Sequence, residues 1–188
     1  MVQRIHLMPN PCTFLIDGIT FGVSSTDVLF ALSKNEATRL HGDMPGSGPK
    51  VDRLTRLMYH MLEQRSFFPP IPPCDMDAPG SAVPLEYTQL WSMDMPVTPQ
   101  VLIAPSKMKS FVRGVSDDCV LINPGPLVKG SSGGTYARCD INPANPGHIT
   151  TCMCRARALS SCRSGPPRTC FLFTYPSPSV STRHLPCR

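Results

Sequence analysis

Two apolar runs do most to restrict what this chain can become: Val101-Leu102-Ile103-Ala104 and Cys119-Val120-Leu121-Ile122. Each is too short for an ordinary helix, and neither alternates with polar residues. A strand with no polar alternation has to be covered on both faces. That is the condition of an α/β sheet or a sandwich core. The flanking text agrees, since Pro96-Val97-Thr98-Pro99 turns the chain into the first run and Asn123-Pro124-Gly125 ends the second.

The opening residues read as a hairpin. Cys12-Thr13-Phe14-Leu15-Ile16 and Ile19-Thr20-Phe21-Gly22-Val23 are rich in β-branched and aromatic residues, and Asp17-Gly18 between them is a type I′ turn signal. Ser25 or Thr26 then offers an N-cap, with Asp27 in the first turn and Val28, Leu29 and Leu32 along the apolar side of a short helix fading between Lys34 and Leu40. Past the Gly/Pro loop 41–50, Val51, Leu54, Leu57, Met58, Met61 and Leu62 recur at helical spacing, with Asp52, Arg53, Arg56, His60, Glu63 and Gln64 opposite. This predicts an amphipathic helix, and it places His60 on the solvent side.

Phe67-Phe68-Pro69-Pro70-Ile71-Pro72-Pro73 fixes an extended backbone. It is either a loop packed on its own domain or a docking segment, because exposed rings on a rigid backbone lose little entropy on binding. Little regular structure is expected from there to Leu85. Further on, Ser106 is read as the cap of a brief helical stretch carrying Met108, Phe111 and Val112, and Thr135-Tyr136-Ala137-Arg138-Cys139 as another strand.

At Pro143 the text changes. From there to the end stand seven prolines, clustered serines and six arginines, with no lysine and no acid. Those arginines are six of the 18 basic residues, so 12 remain before Pro143 against all 13 acids; the net charge of +5 belongs to the tail rather than to a folded basic face. Residues 143–188 are therefore expected to be disordered, with Cys170 to Tyr175 as the exception, either an isolated strand or an aggregation-prone patch. Residues 1–11 do not pair a basic stretch with an apolar one, so secretion is not expected, and no apolar run approaches the roughly 20 residues of a bilayer crossing. Of nine cysteines, Cys12, Cys74, Cys119 and Cys139 are accordingly read as reduced intracellular thiols.

An ordered set of blocks resembles the calcineurin-like phosphoesterase domain found in the B subunits of DNA polymerase alpha–primase. The blocks are Asn10 to Gly18 with Phe21-Gly22, Ser25 to Phe30, Asp52-Arg53 running to Leu62 and on to Pro69, Pro96 to Ser106, Phe111-Val112, Ile122 to Gly125, Lys129-Gly130 and Gly133 to Arg138. Each is common alone; their order and separation across residues 8–140 are specific. The resemblance implies a sheet sandwich descended from metallophosphoesterases, inactive and truncated, in residues 1–142, followed by a divergent Cys/Pro/Ser/Arg-rich tail in 143–188 that reads like an intron or a shifted frame. It further implies a nuclear, non-catalytic accessory subunit that scaffolds the polymerase alpha catalytic subunit through that subunit's C-terminal domain. Primase subunits share the assembly, DNA is reached through the complex, and no membrane or cofactor is involved.

Taken on their own, the residues do not assemble an enzyme. A binuclear phosphoesterase needs His, Asp and Asn side chains converging on two metals, but His6, His41, His60, His148 and His184 are dispersed. His41-Gly42-Asp43 is read as a solvent loop, Asp117-Asp118 as a turn before a strand, and Gly130 to Gly134 as a hairpin loop, since no Lys-Ser/Thr follows it as in a P-loop. Cys152-x-Cys154 with Cys162 and Cys170 has enough thiols for zinc but lacks the usual knuckle spacing. No residue is thus assigned a catalytic, cofactor, metal or partner-binding role. The alternatives are an active metallophosphoesterase or nuclease, and nucleic-acid binding by the arginine-rich tail.

Overall fold

A computed structural model of the chain describes residues 6–36, 52–70, 86–116, 119–129, 131–141, 149–155 and 169–173. The hairpin forms as expected: β1 (Cys12–Ile16) and β2 (Ile19–Val23) pair antiparallel, with Ile16 opposite Ile19. The turn demands positive φ at both central positions, and Asp17 (49°) and Gly18 (80°) supply it.

The apolar runs become β3 (Val101–Ile103) and β5 (Cys119–Asn123), which lie side by side in parallel; β2 pairs parallel with β3 on its other side. β4 (Phe111–Ser116) closes the sheet antiparallel to β5, giving the order β1-β2-β3-β5-β4. The helix expected after Ser106 does not form. The Ser106 hydroxyl accepts from the Met108 N–H at 3.1 Å in a tight turn, and Phe111 and Val112 enter the ladder beside β5. Both residues suit a pleated, half-buried surface better than an isolated turn of helix.

Strand periodicity sorts the core into two layers. Leu102, Ala104, Cys119 and Leu121 face one way, packing with Val28, Leu29 and Leu32 of α1 (Val28–Asn35) and Leu57, Met58 and Met61 of α2 (Arg53–Glu63). Val101, Ile103 and Ile122 face the other way with Ile19 and Phe21, against Ala137 and Cys139 of β8 (Thr135–Ile141). Fully burying a Leu, Ile or Phe side chain is worth roughly 1.5–3 kcal/mol. The continuous apolar runs are therefore the part of the chain on which both layers depend.

α1 is capped one residue later than expected. Asp27, rather than Ser25 or Thr26, accepts the Phe30 N–H at 3.2 Å. A 3₁₀ helix at Tyr87–Met93, which no sequence pattern announces, returns the chain to the edge of α2, where Ser66 bridges Asp94 and the Phe67 N–H donates to the Met93 carbonyl at 2.7 Å. β6 (Val128–Lys129) and β7 (Ser132–Gly133) make the small hairpin expected on either side of residue 130.

The largest departure lies beyond Pro143. β9 (Ile149–Arg155) pairs with β8 along its whole length, and β10 (Thr169–Phe173) pairs with the other edge of β8. Disorder is thus not what these two segments adopt, and the Phe171 run is a paired strand rather than an isolated one. β8 buries Ala137 and Cys139 on the main sheet, and without neighbours both its edges would leave N–H and C=O groups unpaired. Ile149-Thr150-Thr151 and Phe171-Leu172-Phe173 have the β propensity to fill those edges despite the composition around them.

Candidate functional site

In α/β sheets, ligands gather beyond the carboxyl ends of the parallel strands. Here β2, β3 and β5 end together, at Val23, Ile103 and Asn123, and the main chain extends the ladder one step further: the Ser24 N–H donates to the Ile103 carbonyl (3.2 Å) and the Ala104 N–H to the Ile122 carbonyl (3.1 Å). The three following loops meet at this edge.

Asn123 is the hub. It is fully buried, and its Oδ1 accepts from the main-chain N–H groups of both Ser106 and Gly125 at 3.0 Å, while Nδ2 donates to the Lys109 carbonyl at 3.1 Å. Asp27 binds across to the same loop, since its Oδ2 accepts from the Lys107 N–H at 3.1 Å while Oδ1 caps α1. Asn10 accepts from the Ser25 N–H at 2.8 Å, and the Thr135 hydroxyl donates to the Pro124 carbonyl at 2.8 Å. Gly125 sits at φ +69°, and a Cβ there would lie 2.7 Å from the Thr135 hydroxyl oxygen. Asn and Asp are residue types that could serve a metal. At this edge their oxygens are aimed at backbone N–H groups, so what they do is tie loops together.

Two of the five histidines fall among the described residues. His6 is exposed, and His60 lies on α2; positions 41, 148 and 184 are outside the described residues, as are 74, 117, 118, 130, 162 and 187. Among the described residues no group of three or more His, Cys, Asp or Glu side chains is placed to hold a metal. β9, carrying Cys152 and Cys154, and β10, carrying Cys170, lie on opposite sides of β8.

Phe67 and Phe68 are 2% and 3% exposed and belong to the helix-side core, so the loop reading holds for these rings; residues 71–73 lie outside the described set. Burial also sets the thiol chemistry. Desolvation pushes the Cys119 thiol up to about 11, and it raises Cys12 as well. Both shifts disfavour the thiolate, the nucleophilic form.

Two electrostatic features go beyond the sequence reading. The Glu36 carboxylate, 6% exposed, pairs with the guanidinium groups of Arg53 (3.1 Å) and Arg56, and His60 Nε2 lies 3.8 Å away, joining the end of α1 to α2. Glu36 stands 17 to 24 positions before its partners, so no periodicity announces it. The second is a groove of about 590 Å³ at the carboxyl edge, where Lys107, Lys109 and Lys129 come together with Ser110, Gly134 and Thr135. Its only sequence signal is a lysine pair in i, i+2 spacing, beside a third lysine 20 positions on. Lys107 holds its ammonium 3.5 Å over the Phe30 ring. No helix among the described residues is long and apolar enough to cross a membrane.

The chain is thus a layered α/β body whose carboxyl edge is laced by main-chain bonds, and sequence comparison gives that body a family. A family model for the B subunit of DNA polymerases alpha and epsilon matches residues 1–113, and the chain belongs to that family. It is similar to the B subunit of DNA polymerase alpha from Mus musculus, 36% identical over 137 residues, which is 72% of this chain and 20% of the mouse protein. The corresponding B subunit from Drosophila melanogaster is 38% identical over 145 residues (77% of this chain, 21% of the relative). That of Schizosaccharomyces pombe is 34% identical over 148 residues (77% and 24%). The chain thus spans between a fifth and a quarter of the length of these relatives.

Proposed function

We propose that the chain acts as part of a non-catalytic accessory subunit of DNA polymerase alpha–primase, holding the catalytic subunit for the initiation of replication in the nucleus. The observation that carries this reading is the carboxyl edge of the sheet. In a hydrolase of phosphoesterase type that edge presents metal-binding side chains; here Asn123 and Asp27 spend their oxygens on main-chain N–H groups of neighbouring loops. Rigid loops of that kind suit a docking surface.

The sheet-on-sheet layering with helices outside supports a calcineurin-like phosphoesterase ancestry for residues 1–142. Residues 143–188 are read as a divergent tail, of which β9 and β10 are the parts that return to the sheet. The partners are the C-terminal domain of the catalytic subunit and, in the same assembly, primase, with DNA reached through the complex. The enzymatic reading is tested by assaying the highly purified chain with manganese and a generic phosphodiester. The scaffold reading predicts turnover no faster than a buffer blank, and saturable hydrolysis that follows the protein through purification would overturn it.

A further inference from the structure

We infer that the lysine groove at the carboxyl edge is a direct contact for the phosphate backbone of single-stranded nucleic acid. Lys107, Lys109 and Lys129 line it, and none of the described lining residues is a carboxylate. A second groove of about 420 Å³ shares the Lys109–Ser110 wall and adds Arg113, with Asp52 as its one acid. With the Lys107 ammonium held over the Phe30 ring, the cations the two grooves offer are Lys109, Lys129 and Arg113, drawn from three elements and suited to a polyanion.

The linings favour phosphates over bases. Among the described lining residues the one aromatic ring, Phe111, is 5% exposed, so none of them is offered for base stacking. The Ser110 and Thr135 hydroxyls line the groove among the lysines. Gly134 allows the hairpin to close against the loop, because a Cβ there would run into the Pro126 and Leu127 main chain. This contact is sequence-independent, and it does not rest on the scaffold reading.

The test is fluorescence anisotropy of the complete chain with labelled oligodeoxythymidine over a salt series. Both Lys109 and Lys129 are exposed, so K109Q/K129Q leaves the thermal melt unchanged. Each backbone contact on a single strand contributes about 0.7 to the slope of log affinity against log salt. The double variant should therefore lose about 1.4 of slope and about tenfold in affinity at low salt, and K109R/K129R should restore both. Unchanged affinity and slope in K109Q/K129Q would overturn the inference and assign any binding to the arginines of the tail. So would displacement of the oligonucleotide by polyglutamate at lower charge concentration than by unlabelled oligonucleotide, since the surface would then be an acidic-peptide site.

Discussion

The side-chain oxygen of Asn123 and the main-chain N–H of Ser106, both fully buried, meet at 3.0 Å across the ends of two neighbouring parallel strands. With the matching bonds to Gly125 and Lys109, one carboxamide satisfies three main-chain groups at the edge where an enzyme of this architecture would do its chemistry. Leaving a buried donor or acceptor unpaired costs about 1–3 kcal/mol. Asn123→Ala should therefore lower unfolding free energy by at least about 3 kcal/mol in urea denaturation.

Asn123→Asp separates the two halves of that role. A carboxylate keeps the two accepted bonds but cannot donate to the Lys109 carbonyl, and burial disfavours its charge. Its folded pKa is therefore raised, so the folded state holds the proton longer than the unfolded one, and stability falls as pH rises. The deficit relative to the parent chain should be smaller near pH 4 than near pH 7, read as the difference between two denaturation midpoints.

Cys119 gives a second pH signature. Its folded pKa is about 11 against 9.0 for the free thiol. Between those values the unfolded state has lost a proton that the folded state keeps, so stability drops as pH rises from about 9 to 11, by on the order of 2 kcal/mol. Cys119→Ala should remove that slope, and identical slopes in the two proteins would contradict the burial account.

Phe67 distinguishes a core ring from a docking ring. Truncating a buried Phe costs about 3–5 kcal/mol. Phe67→Ala should accordingly lose that much in denaturant, whereas a ring reserved for a partner would leave the unbound chain almost untouched.

What is legible in the sequence depends on whether the signal is local. β3, β5 and α2 can be read because burial imposes a run or a period on consecutive residues, and the Asp17-Gly18 turn because its φ values restrict residue type. Thr135 to Cys139 is readable as a strand, though its pairing on both edges is not. Phe111 and Val112 mislead because a short stretch of apolar text fits a helix turn as well as a strand, and only the β5 edge decides between them. The pairing of β9 and β10 is hidden because composition argues against order while the open edges of β8 argue for it, and an edge is not visible in text. Apart from the local bond to Gly125, the Asn123 knot and the Glu36 cluster are tertiary, joining residues 14 to 24 positions apart through loops that carry no pattern.

Association with the catalytic subunit is the property a scaffold cannot lack. When the complete chain is co-expressed with the DNA polymerase alpha catalytic subunit and run on a sizing column, it should co-elute with that subunit in equal molar amount and resist removal by moderate salt. Elution of the two as separate, folded species would contradict it.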